Sequence, residues 1–160
     1  MLKVQLITVG KLKEPFYIDA VGEYAKRLQR HCTLTLTEVP ERRLPDDPSK
    51  GEIARALAAE ASLVREKLPK GGVLIALCIE GRTVTSEAFS SLLSSYACEG
   101  RSCVTFLIGG SFGLDETLKA EADLRLSLSP MTFPHHLARV LLLEQIYRAF
   151  QIKEGTKYHK

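Results

Sequence analysis

The sequence predicts a single α/β domain built on a largely parallel sheet with helices on both faces. Three observations predict it. Segments rich in β-forming residues alternate with segments of helical periodicity along the whole chain. Residues 73–79 are apolar throughout and Cys103–Ile108 nearly so, which suits strands covered on both faces. A length of 160 residues makes one domain, and no repeat or composition boundary divides residues 1–160.

Residues 2–9 read as the first strand, ending at Gly10. Glu14 and Pro15 open a helix, because the fixed φ of proline suits a first turn whose amides lack partners. Phe16, Tyr17, Ala20, Val21, Tyr24, Ala25 and Leu28 recur there at helical spacing. Thr33–Val39 alternates and forms the second strand. Residues 40–51 hold three of the seven prolines and several charges, a loop longer than the usual connection and therefore mobile or functional. Ile53, Ala54, Leu57, Ala61, Val64 and Leu68 give a second helix, closed by Pro69. The strand at 73–79 follows, then a helix capped by Thr85 or Ser86 and running to Ala97. Cys103–Ile108 enters the turn Gly109-Gly110-Ser111-Phe112-Gly113. A short helix at 115–121, a strand at 124–128, a loop at 129–134 and a helix from 134 to 151 complete the order.

A 17.7 kDa globule exposes about 8,000 Å² and buries roughly 69% of the open chain's surface, so a core needs no disulfide or metal. The start of the chain lacks the pattern of a signal peptide, and no apolar run approaches the ~18 residues of a membrane helix. A cytoplasmic protein is expected. Cys32, Cys78, Cys98 and Cys103 form no Cys-x-x-Cys pair and match no zinc spacing; no metal is expected, and free thiols fit a reducing compartment. Net charge is only +3, but residues 133–160 carry five cations against two carboxylates and so hold all of it. A solvated helix end or a phosphate-binding surface explains this equally well.

Ligands of open parallel sheets bind outside the carboxyl ends of the strands. Three such ends have unusual chemistry: residues 77–81 with Glu80-Gly81, the glycine turn 109–113, and residues 128–134 with two prolines. The glycine turn is neither a dinucleotide fingerprint nor a P-loop. Together the three imply a nucleoside-like ligand held by backbone groups and apolar walls. His135 and His136 begin the last helix, where capping and packing suffice to explain them. Tyr158-His159-Lys160 is a frayed end on general grounds, yet it joins a stacking ring, a titratable imidazole and a cation. The last helix is apolar well beyond one stripe, which predicts burial on two sides: the sheet on one, a second subunit related by two-fold symmetry on the other.

The segments Ile108-Gly109-Gly110-Ser111-Phe112-Gly113-Leu114, Leu126-Ser127-Leu128-Ser129-Pro130-Met131-Thr132-Phe133-Pro134-His135, Arg139-Val140 with Glu144-Gln145-Ile146-Tyr147-Arg148-Ala149, and Tyr158-His159-Lys160 resemble the bacterial large-subunit rRNA pseudouridine methyltransferase family of the SPOUT superfamily. Leu6-Ile7-Thr8-Val9-Gly10-Lys11 and Leu77-Cys78-Ile79-Glu80-Gly81 extend the resemblance to nearly the whole chain. It implies a deep trefoil knot in the C-terminal part, an exception to the rule against threaded connections. It implies S-adenosylmethionine in the knot, contacted by Leu77, Gly109, Leu128, Ser129, Pro130, Met131, Thr132 and Phe133. It also implies a homodimer that methylates N3 of a pseudouridine in helix 69 of 23S rRNA on assembled ribosomes. His159 is then the candidate for proton handling, Tyr158 for base stacking, and Arg139 or Lys160 for phosphate contact. A small-molecule methyltransferase with the same pocket and a non-enzymatic ribosome-binding factor are the alternatives.

Overall fold

The computed structural model describes residues 1–160. Five strands form one fully parallel sheet: β1 (Lys3–Val9), β2 (Thr33–Val39), β3 (Val73–Thr83), β4 (Cys103–Ile108) and β5 (Leu124–Ser127), in the order β2-β1-β4-β3-β5. Helices α1 (Pro15–Leu28), α2 (Lys50–Lys67), α3 (Ser86–Cys98), α4 (Glu116–Glu121) and α5 (His135–Lys153) connect and cover it. No helix is long and apolar enough to cross a membrane.

The central strands alternate between two cores. Val4, Leu6, Val104, Phe106 and Ile75 face Leu28 of α1, Phe89 and Leu93 of α3, and Leu142, Leu143 and Ile146 of α5. Ile7, Val9, Leu107 and Ala76 face Ala61 and Val64 of α2 and Leu118 of α4. Period-2 alternation thus sends successive apolar side chains to opposite faces, both of them covered.

Helix α5 lies between α1 and α3 on one face of the sheet. Much of its apolar surface therefore has a partner within the chain. Helices α1 and α3 and the sheet cover Leu142, Leu143, Ile146 and Ala149 and pack against Ala138, Tyr147 and Phe150, while Leu137, Val140 and Leu141 stay half-buried.

Local signals set several boundaries. Ser49 caps α2 in a reciprocal box with Glu52, three residues earlier than the apolar pattern predicts the helix. Thr85 caps α3 and Asp115 caps α4. Strand β3 runs to Thr83, beyond the expected end at residue 79. Its pairing with β5 jumps from Leu77↔Leu126 to Arg82↔Leu126, so residues 78–81 leave the ladder and the chain rejoins it at the same partner.

Gly155, at φ +68°, ends α5 and reverses the chain. Its N–H donates to the Ile152 carbonyl, and the Thr156 N–H donates to the Gln151 carbonyl, the paired bonds of a Schellman cap. The last residues consequently run back along the helix they have just left.

Candidate active site

The three unusual strand ends meet. The 78–81 excursion of β3, the glycine turn after β4 and the loop after β5 line one cavity of about 480 Å³, open at the carboxyl edge of adjacent strands. Leu77, Gly109, Leu128, Ser129, Met131 and Phe133 line it; Pro130 and Thr132 belong to the same loop but do not. Leu77, Ile108, Leu114 and Leu128 make apolar walls, and the exposed side chains of Ile79, Phe112 and Met131 surround the mouth.

The glycine turn is shaped by its own contacts. A Cβ on Gly109 would overlap the Gly113 carbonyl, so glycine is required there by the closure of the turn itself, before any ligand arrives. Gly110 and Gly113 form a bridge across the turn. The loop after β2 supports it from outside: Glu41 Oε1 accepts the Ser111 N–H at 3.2 Å. That loop is thereby tied to the site, and its Arg42 N–H is held by Glu60 Oε2 at 2.8 Å.

The loop after β5 is held by serines. The Ser127 hydroxyl donates to the Ser129 carbonyl at 2.9 Å, and Ser129 Oγ accepts the Met131 N–H at 2.9 Å. These bonds fold residues 127–131 so that their backbone borders the cavity.

One charged cluster lies on the cavity wall. Lys119, only 8% exposed, places Nζ 2.7 Å from both Glu80 Oε1 and Glu116 Oε1. Burial alone would lower the Lys119 pKa, but the two carboxylates outweigh it and raise it, while Glu80 is pulled down chiefly by its bond to Lys119. The sequence carries no local sign of this cluster, because it joins residue 80 to a helix nearly forty positions later.

His135 also lines the cavity. Burial, with the neighbouring His136 adding to it, lowers its pKa, so the imidazole is neutral at physiological pH. Its ring packs edge-on against that of His136 at 4.3 Å.

The tail is docked and does not fray. Tyr158 lies edge-on to Tyr147 at 5.0 Å, beneath the Arg148 guanidinium at 4.8 Å, and its hydroxyl donates to Glu144 Oε1 at 3.1 Å. Burial and that carboxylate push the phenol up to about 12, so Tyr158 is a donor and not a base. His159 joins two helices: Nδ1 faces Arg148 Nη1 at 3.2 Å and Nε2 faces Glu87 Oε1 at 2.7 Å. The tautomer that satisfies both partners carries its proton on Nε2. Neither residue lines the cavity of its own chain.

Arg139 lies elsewhere again, 3% exposed at the ends of the first two strands. Nη1 donates to Glu38 Oε2 at 2.7 Å, and Nη2 donates to the carbonyls of Val9 and Gly10 at 3.2 and 2.8 Å. Burial lowers its pKa against the opposing pull of Glu38. These bonds pin the first turn of α5 to β1 and β2.

A family model described as "Predicted SPOUT methyltransferase" matches residues 2–159. The chain belongs to the SPOUT methyltransferase family. It is 45% identical over 159 residues to "Ribosomal RNA large subunit methyltransferase H" of Streptococcus equi subsp. zooepidemicus (strain MGCS10565), covering 99% of this chain and 100% of that protein. The protein of the same name from Leuconostoc citreum (strain KM20) is 43% identical over the same coverage. Among solved structures, a "probable methylase family protein" from Haemophilus influenzae Rd KW20 aligns with all of this chain and 72% of its own at TM-score 0.59 and 13% identity. A "Probable Methyltransferase" from Bordetella pertussis Tohama I aligns at TM-score 0.55 and 16% identity over 92% of this chain and 96% of its own. These likenesses carry the fold. The parallel sheet of this SPOUT methyltransferase, with β3 between β4 and β5, is consistent with the knot its resemblance implies.

Proposed function

We propose that this SPOUT methyltransferase uses S-adenosylmethionine to methylate N3 of a pseudouridine in helix 69 of 23S rRNA, acting as a cytoplasmic homodimer on the assembled ribosome. The observation that carries the reading is the convergence of three strand ends on one cavity, in a chain 43–45% identical to proteins named ribosomal RNA large subunit methyltransferase H.

The cavity suits the cofactor in kind. Its volume of about 480 Å³ is that of a small-molecule site, which runs from ~300 to ~1,000 Å³. Apolar walls at Leu77, Ile108 and Leu128 and the close-lying backbone of Gly109 suit an adenosine, and the Lys119–Glu80–Glu116 cluster suits a zwitterionic amino-acid end. When bound, the cofactor supplies a methyl group already activated on a sulfonium. The chain's own work is orientation and exclusion of water.

The acceptor N3 is a weakly acidic imide and must lose its proton. On this reading His159 handles that proton, Tyr158 supports the base, Lys160 meets a phosphate, and Arg139 acts as a positioning residue through α5. Tyr158 and His159 lie outside their own chain's cavity, so these roles require the cavity of a second subunit.

Calorimetry with S-adenosylmethionine, methyl transfer to ribosomes lacking the modification, and sedimentation equilibrium test the reading together. It expects cofactor binding, one methyl per 23S rRNA at N3, and twice 17.7 kDa. Methylation of free nucleosides with inert ribosomes would transfer the activity to small molecules. Ribosome binding without cofactor binding would make the chain a non-enzymatic factor.

A further inference from the structure

A second cleft opens beside the cofactor cavity. It has a volume of about 730 Å³ and lies at the carboxyl ends of β1 and β2, under the 40–49 loop. The two concavities share Leu57, Ser111, Phe112 and His135, so they are continuous across the glycine turn.

The charges of this cleft are unequal in what they are free to do. Lys11 and Lys13 follow β1, and Arg42 and Arg43 follow β2. All four are exposed, and none makes a side-chain hydrogen bond or an ion pair within the chain. Two of the carboxylates alongside them are committed, Glu41 to the Ser111 N–H and Glu60, 6% exposed, to the Arg42 N–H, which leaves Asp46 as the one free carboxylate against four cations. Four unpaired cations at the mouth of one cleft form a site for a polyanion. At the boundary with the cofactor cavity stands Phe112, half-exposed with nothing of this chain stacked on it.

We propose that this cleft binds the phosphodiester backbone flanking the target nucleotide, with Lys11, Lys13, Arg42 and Arg43 on the phosphates and Phe112 under the unstacked target base. The assignment rests on the rRNA reading above and adds to it the surface that holds the acceptor strand. Phosphate contacts fix register without reading sequence, and an aromatic face accepts any base. The arrangement therefore suits a nucleotide already displayed by RNA architecture. It also gives the 40–49 loop a role: the loop carries two of the cations and, through Glu41, joins them to the turn that walls the donor.

The test compares Lys11→Ala/Lys13→Ala/Arg43→Ala with Lys26→Ala/Lys67→Ala/Lys70→Ala, three exposed cations at the opposite edge of the sheet. Each is assayed for S-adenosylmethionine affinity, for binding to unmodified ribosomes across a salt series, and for methyl transfer. The cleft variant should retain cofactor affinity and lose roughly two from the slope of log affinity against log salt, since each phosphate contact contributes about 0.7–0.9. The control should match the wild type. Phe112→Ala should lower turnover about 10-fold with an unchanged salt slope. Wild-type affinity and slope in a folded cleft variant would overturn the assignment while leaving the rRNA reading standing. A wild-type protein that binds cofactor but never methylates ribosomes would overturn both.

Discussion

The docking of Tyr158 gives a quantitative prediction about stability. In Tyr158→Ala three contacts vanish together: the edge-on pair with Tyr147, the Arg148 guanidinium over the ring, and the hydroxyl bond to Glu144. An aromatic pair contributes about 1 kcal/mol and a partly exposed cation–π contact about 0.5–1 kcal/mol. The hydroxyl bond adds about 1 kcal/mol, at the low end because Glu144 keeps Arg148 as a partner at 2.6 Å. The sum is about 2–3 kcal/mol, which at 2–4 °C per kcal/mol lowers Tm by roughly 5–10 °C. Tyr158→Phe keeps both ring contacts and should lose about a third of that. The pH dependence has a definite sign. The folded phenol is raised from 10.0 to about 12, so the folded state holds its proton more tightly. That contribution is complete below pH 10 and disappears as pH rises towards 12. Calorimetric scans at pH 7 and through pH 10–12 measure both effects. A Tyr158→Ala protein melting within about 1 °C of wild type would refute the docked tail.

Other outcomes follow from the same contacts. Gly109→Ala should lose both thermal stability and S-adenosylmethionine affinity, because its Cβ meets the Gly113 carbonyl; differential scanning fluorimetry with and without cofactor separates the two losses. Asp115→Ala should cost about 1 kcal/mol in urea unfolding by removing the cap of α4. The Asp115 pKa is lowered chiefly by the Thr117 hydroxyl, so its stabilisation is present above about pH 4 and fades on acidification, and the variant's deficit should shrink below that pH. Arg139→Met should cost about 3 kcal/mol in the same assay, since it strands the Val9 and Gly10 carbonyls, while Glu38 remains partly solvated. Iodoacetamide at pH 8 should label exposed Cys98 first and reach Cys32 only on unfolding, because Cys32 is 2% exposed and burial raises its thiol to about 11.

The parts legible in the sequence were those governed by neighbours in the chain. Thr33–Val39 and Cys103–Ile108 begin and end where the alternation and the apolar run predict. The three strand ends were recognisable as a group because parallel topology brings carboxyl ends to one edge. The capping box at Ser49 was readable in its Ser-x-x-Glu spacing, but the apolar residues that mark the helix begin later. The remainder depends on partners distant in sequence. Lys119 finds Glu80, Glu41 finds Ser111, and Tyr158 finds Glu144 only after the sheet and helices have assembled. The apolar excess of α5 was visible but ambiguous, since a helix flanked by two others and a helix at a subunit interface carry the same composition.

The strand order divides the sheet into two flanks. The first two strands and the 40–49 loop come from one continuous stretch at the start of the chain, whereas β3, β4 and β5 come from its later part. Residues 40–49 supply none of these strands; they reach the glycine turn through the Glu41–Ser111 bond and α2 through the Ser49 cap and the Arg42–Glu60 bond. On the proposed readings, substitution of exposed Arg42 or Arg43 would alter acceptor binding and leave the cavity residues of β3, β4 and β5 unchanged.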